Sequence, residues 1–121
     1  MDFATFEKYC LSKKAATEDM PFDETTLCFR VGNKIFAMTD TLREPFRFNL
    51  KIQPERSIEL RESYECITPG YYSDKKNWIT IEPDNSISDE LIFELIDNSY
   101  NLVYNKLTKI IQKQIEILDT L

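Results

Sequence analysis

The stretch Thr25-Thr26-Leu27-Cys28-Phe29-Arg30-Val31-Gly32-Asn33-Lys34-Ile35-Phe36-Ala37-Met38-Thr39 decides the fold class. From Thr25 to Val31 the side chains alternate, with Leu27, Phe29 and Val31 on one face and Thr26, Cys28 and Arg30 on the other. A period of two is the signature of a strand with one buried face. Gly32-Asn33 then reads as a two-residue hairpin loop, because Gly supplies the positive φ that a primed turn requires. Lys34 to Thr39 returns as the second strand. Strands joined this tightly pair antiparallel, and helices from elsewhere in the chain must cover their apolar face.

Beyond the loop at Thr41 to Pro45, Arg47-Phe48-Asn49-Leu50-Lys51-Ile52 alternates without a fault. Phe48, Leu50 and Ile52 form its apolar face, and Arg47, Asn49 and Lys51 are expected to face solvent. Pro54 stands at a first helical position and opens a helix over Glu55 to Tyr64, with Ile58, Leu60 and Tyr64 available for the core. Thr68-Pro69-Gly70-Tyr71 reads as a type II turn and Trp78 to Ile81 as a last short strand. A helix then starts at Ser88, which caps it, with Asp89 and Glu90 favourably placed in its first turn. No Gly or Pro interrupts the chain after it, so one long helix or two abutting helices both fit. Towards the N-terminus, Phe3, Phe6, Cys10 and Leu11 recur at helical spacing over residues 3–12. The expected architecture is α+β: a two-layer fold with an antiparallel sheet backed by helices, in the order α-β-β-β-α-β-α, ending in a long C-terminal helix. Residues 1–107 form the unit, and 108–121 are a helical extension of the same domain.

Composition narrows the function classes. The 121 residues suit one domain, and 42% hydrophobic with 30% charged residues is ordinary for a globular protein. There is no histidine, which removes the commonest general base and the commonest zinc ligand, and excludes Ser-His-Asp or Cys-His chemistry within the chain. Cys10, Cys28 and Cys66 lack paired or metal-binding spacing, so neither a disulfide framework nor a zinc site is expected. Glu18, Asp19, Asp23 and Glu24 lie within a short run, but the spacing matches no EF-hand loop. The opening Met1-Asp2-Phe3-Ala4-Thr5-Phe6-Glu7 has no basic n-region, and no stretch approaches the ~20 apolar residues of a membrane span. A cytoplasmic protein is expected, with no membrane partner, no cofactor and no catalytic residue.

Several short motifs stand in a telling order: Phe48-Asn49-Leu50-Lys51, Pro54-Glu55-Arg56, Leu60-Arg61-Glu62, Pro69-Gly70-Tyr71, Lys75-Lys76 and Trp78. Together with Thr17-Glu18-Asp19, Pro21-Phe22, Phe29-Arg30-Val31-Gly32, Leu95-Ile96-Asp97 and Ser99-Tyr100, they resemble the MmcQ/YjbR family over about residues 2–107. The resemblance implies a compact two-layer α+β fold of the kind described as CyaY-like or double-wing. It also implies a predicted DNA-binding protein, a function that rests on analogy of fold. The family usually carries a His after the Pro-Gly-Tyr and another before the Trp. Tyr72 and Asn77 occupy those places here, and Asp74 stands where relatives have Asn.

The net charge of −6 opposes nucleic-acid binding over the molecule as a whole, so any such contact needs a local basic patch. Residues 30–61 supply one: Arg30, Lys34, Arg43, Arg47, Lys51, Arg56 and Arg61 face only Asp40, Glu44, Glu55 and Glu59, for a net +3. Within this segment Arg47 and Lys51 share a strand face, about 13 Å apart, with Asn49 between them. The nucleic-acid contact candidates are therefore Arg43, Arg47, Asn49, Lys51, Lys75 and Lys76, with the lysines and arginines on phosphates and Asn49 on a base edge. The same residues would also suit a solvated outer sheet face. Tyr64, Tyr71, Tyr72 and Trp78 could stack on single-stranded bases, or serve the core. A second class of function is a protein-interaction module using the acidic surface or the C-terminal helix, whose Ile110, Ile111, Ile115, Ile117 and Leu118 form a broad apolar stripe.

Overall fold

The computed structural model of the chain describes residues 1–70 and 74–118. The elements run α1 (Phe3–Leu11), β1 (Thr17–Asp19), β2 (Thr26–Val31), β3 (Lys34–Asp40), β4 (Phe48–Lys51), α2 (Pro54–Ser63), β5 (Ile67–Pro69), β6 (Trp78–Ile81), α3 (Asp89–Asn105) and α4 (Lys109–Leu118). The fold is α+β, and every pairing in its six-stranded sheet, ordered β1-β2-β3-β4-β6-β5, is antiparallel.

The β2–β3 turn has φ of 55° at Gly32 and 71° at Asn33, the two positive values a type I′ hairpin needs. One residue of β3 is extra. Phe29 pairs with Ala37 but Arg30 pairs with Ile35, so Phe36 bulges and reaches the ring of Tyr100 at 5.3 Å. The core lies between the sheet and helices α1 and α3. Phe6 stacks on Phe48 at 4.3 Å and meets Phe29 edge-on at 5.5 Å, while Tyr9 stacks on Phe93 of α3 at 4.2 Å. Ser88 caps α3 by accepting from the Leu91 N–H at 3.1 Å.

Ser99 joins α3 to the sheet. Fully buried, its hydroxyl donates to the Phe36 carbonyl at 2.6 Å and accepts from the Lys51 N–H at 2.8 Å. Ser99→Ala would strand both backbone groups away from water and is expected to cost about 1–3 kcal/mol. Thermal melts check this, and an unchanged midpoint would mean that water replaces the hydroxyl.

Three expectations change and one left open is decided. Two short edge strands, β1 and β5, join the sheet; all of β1 is exposed, so no alternation marks it, and pairing with β2 alone holds it. Of the two forms that fit the C-terminus, the chain takes two abutting helices. Gln112 Nε2 donates to the Tyr104 and Leu107 carbonyls at 3.0 and 3.2 Å, fastening α4 across the end of α3. Ile58, expected in the core, is 51% exposed, because α2 turns Ser57 and Leu60 inward instead. Asn49, expected to face solvent, is buried at 3%. Its row in the sheet, Cys28-Met38-Asn49-Thr80 across four strands, is sheltered throughout, and Asn49 Oδ1 accepts from the Thr80 hydroxyl. Phe48, Leu50 and Ile52 are buried, as the alternation requires. The turn ending at Tyr71, and the stacking candidates Tyr71 and Tyr72, lie outside the described residues.

Candidate functional site

Antiparallel pairing sorts the chain's charges into two ends. The β2–β3 hairpin, the end of β4, the start of β6, the end of β5 and the last turn of α3 all lie at one end of the sheet. This end carries Arg30, Lys34, Lys51, Lys75, Lys76 and Lys106, with Asp74 and Glu55 also there and the Asp19 carboxylate reaching Arg30. At the opposite end, beside the outer termini of the same strands and the start of α3, stand Asp23, Glu24, Asp40, Glu44, Glu65, Glu82, Asp84, Asp89 and Glu90, against Arg43 and Arg47. A net acidic chain thus acquires one basic pole.

The centre of that pole is an open pocket of about 490 Å³ between the hairpin and the C-terminal turn of α3. Arg30, Lys34, Lys51 and Lys106 line it with Trp78, over apolar walls from Ile35, Val103 and Leu107. Each wall has a local cause. The bulge at Phe36 keeps Ile35 in register with Arg30. Lys51 and Trp78 are cross-strand partners. Gly32 lets Leu107 close under the hairpin, since a Cβ there would come within 2.6 Å of Leu107 Cδ1. Lys106, the C-cap of α3, is a cation at the negative end of a helix dipole.

The electrostatics favour an anion. Arg30 Nε is paired with Asp19 at 3.0 Å, and its Nη1 donates to the Asn33 carbonyl at 3.0 Å. Among the described residues, no carboxylate lies within 4.0 Å of the Lys34, Lys51 or Lys106 ammonium. Burial, and next the Lys106 ammonium beside it, lower the pKa of Lys51 against the smaller opposing pull of the Asp74 carboxylate. An anion seated between the two lysines would relieve that repulsion.

Of the sequence candidates, Lys51 lines this pocket and Lys75 and Lys76 stand beside it. The latter two line a second hollow of about 360 Å³ with Pro54, Ile58, Arg61 and Pro69. Asp74 shapes their turn by accepting from the Lys76 N–H at 3.0 Å and from the Asn77 amide. Two of the positions that depart from the family pattern, Asp74 and Asn77, therefore bond each other. Arg43 and half-buried Arg47 lie at the opposite end of β4, and Asn49 is sealed between the ends. The proposed stripe is not continuous. Arg30 and Lys34 were visible as part of the +3 segment, whereas nothing in the sequence tied Lys106 to them.

The acidic run is engaged locally: Asp19 pairs with Arg30, and Asp23 Oδ1 accepts from the Thr25 and Thr26 N–H groups at 2.9 and 2.6 Å. Desolvation raises the pKa of all three thiols, pushing Cys28 up to about 11. That is the opposite of an activated nucleophile.

Fold and site together define an α+β domain with a six-stranded antiparallel sheet and a single basic pole. The chain belongs to the YjbR family, whose profile matches residues 11–102. It is 39% identical over 95 residues to the uncharacterised protein YbdF of Escherichia coli O157:H7, covering 78% of each chain. It is 28% identical over 107 residues to the uncharacterised protein YjbR of Escherichia coli K12, covering 88% of this chain and 91% of that one. The crystal structure of Deinococcus radiodurans protein DR2400, containing the domain DUF419, superposes with a TM-score of 0.87 at 37% identity, over 93% of this chain and 86% of that one. No helix among the described residues is long and apolar enough to cross a membrane.

Proposed function

We propose that this YjbR-family domain is a non-enzymatic nucleic-acid-binding module that meets phosphates with its basic pole. The observation that carries the reading is the convergence of Arg30, Lys34, Lys51 and Lys106 from four elements on one pocket, in a chain whose net charge is −6. The acidic opposite end repels a polyanion while the basic pole attracts it, so the molecule is steered to approach in one orientation. Lys51, Lys75, Lys76 and Lys106 are the phosphate contacts of this reading. Asn49 makes no base contact in it, because the amide is buried.

Fluorescence anisotropy of labelled DNA, titrated against salt, tests it. Removing one lysine–phosphate interaction flattens the log–log salt slope by about 0.9, so Lys51→Ala with Lys106→Ala is expected to flatten it by about 2. Arg43→Ala, at the far end, should leave it unchanged. No binding by the parent at low salt would end the reading. The same assay has a pH signature. Lys51 loses its proton below the ordinary lysine range, so affinity should fall as pH rises through that lowered value, and Lys51→Arg should remove the early loss.

A second reading has one observation behind it. Ile110, Ile117 and Leu118 of α4 are 72%, 52% and 61% exposed, an apolar edge that a second copy or another protein could cover. Light scattering on the chain truncated after Leu107 tests this reading. A full chain that is oligomeric and a truncated chain that is monomeric support it, and a full chain that is monomeric at all concentrations removes self-association.

A further inference from the structure

We infer that the pocket between the β2–β3 hairpin and the end of α3 takes a single unpaired nucleotide, its base against Trp78 and its phosphate between Lys51 and Lys106. The inference builds on the nucleic-acid reading and narrows it from a charged surface to a site for one residue of a strand, or for the free mononucleotide that shares its chemistry.

Three observations point this way. The first is shape. A volume of about 490 Å³ lies within the ~300–1,000 Å³ range of small-molecule sites, and it is concave. A convex duplex can rest on its rim but cannot enter, whereas an unpaired base with its sugar and phosphate can. The second is the division of the lining. Trp78, Ile35, Val103 and Leu107 offer apolar and aromatic surface, and the cations stand around them. A nucleotide is divided in the same way, with a flat π-face at one end and a negative charge at the other. Stacking on an aromatic ring is the usual way in which proteins hold single-stranded bases without reading sequence. The third is the charge arrangement at the phosphate position. Lys51 and Lys106 both line the pocket and repel each other; the Asp74 carboxylate acts on Lys51 from beyond ion-pair distance, and among the described residues neither lysine has a carboxylate within 4.0 Å. A phosphate accepts from both ammonium groups at once, which a duplex held only at the rim would not do.

Trp78 is the only tryptophan in the chain and lines this pocket, so its fluorescence reports on what enters there. The probes are adenosine monophosphate, a single-stranded oligonucleotide, an abasic strand of the same length, a blunt duplex and inorganic phosphate. Adenosine monophosphate and the single strand should quench Trp78 and compete with each other. The abasic strand and inorganic phosphate should compete without quenching. Lys106 is exposed, so Lys106→Ala is expected to fold, keep the reporter and weaken the mononucleotide about tenfold, as removal of a charge-assisted hydrogen bond would. Quenching by the mononucleotide but not by the single strand would place the free nucleotide in the pocket and exclude the strand. If the duplex and single strand bind equally and Trp78 responds to neither them nor adenosine monophosphate, the nucleotide site is wrong while nucleic-acid binding stands. If no DNA binds at low salt, the underlying reading fails, whatever the mononucleotide does.

Discussion

Phe48→Ala is expected to destabilise the domain by about 3–5 kcal/mol, among the largest losses available to a single substitution here. Phe48 is fully buried, pairs with Thr39 on one side and Ile81 on the other, and stacks on Phe6 at 4.3 Å and beside Phe46 at 5.5 Å. It is therefore the point where α1 is fastened to the middle of the sheet. Truncation removes a ring from a close-packed site and opens a cavity that the rigid strands on both sides cannot collapse to fill. Domains of this size have only about 5–15 kcal/mol of stability in total. The melting midpoint should fall on the order of 10–20 °C. Phe48→Leu, which refills much of the volume, should recover most of it. A midpoint for Phe48→Ala within ~3 °C of the parent would mean that the aromatic cluster does not anchor α1.

Gly70→Ala should have the second-largest effect, and it bears on the pocket as well as the fold. The Gly70 N–H donates to the Trp78 carbonyl at 2.7 Å, holding the end of β5 against the start of β6. A Cβ at this position would overlap Trp78 Cβ and sit 2.8 Å from the Trp78 carbonyl carbon and oxygen. Strand backbone cannot step aside as a flexible side chain can, so β6 must move or the hydrogen bond must break. Overpacking of this kind costs about 1–3 kcal/mol, and occasionally more. Because Trp78 lines the basic pocket and pairs with Lys51, the displacement should also shift the emission of Trp78 and weaken any anion held there. Gly32→Ala is the useful comparison. Its Cβ meets the ends of the Leu107 side chain rather than backbone, so its cost comes from the +55° φ and from repacking Leu107, while the β5–β6 pairing is left intact. A Gly70→Ala variant with unchanged emission and melting would show that β5 and β6 can separate without consequence.

How the site was, and was not, legible follows from what kind of signal each residue gives. Lys51 stood out because it alternates with apolar residues on a strand, and Lys75 and Lys76 because they are adjacent lysines in a family-like motif; the structure places all three at the basic pole. Arg47 gave the same signal as Lys51, and Arg43 stood out within the same +3 segment, yet both lie at the other pole. Arg47 and Lys51, four positions apart on one strand, are held about 13 Å from each other, and charge in the sequence does not say which end matters. Asn49 failed for a different reason. Period two assigns a residue to a face of the sheet, but not whether that face is open, and the partner that satisfies its amide is Thr80, 31 residues away on a strand whose neighbour could not be named beforehand.

The sequence by itself determined what depends on a few adjacent residues. Gly32-Asn33 makes the primed turn, the alternation of Phe48, Leu50 and Ile52 makes a strand with one buried face, Pro54 opens α2, and Ser88 caps α3. These are short-range preferences, written where they act, and they were enough for an α+β class and an antiparallel sheet. Tertiary structure alone decided the edge strands β1 and β5, which have no pattern of their own and exist because β2 and β6 offer them unpaired backbone groups. It also decided the break between α3 and α4, where Gln112 reaches back to carbonyls that no propensity could identify. Above all it decided the basic pocket. Arg30, Lys34, Lys51 and Lys106 span 77 positions of sequence and meet only because antiparallel register brings the hairpin, the end of β4 and the last turn of α3 to the same end of the sheet.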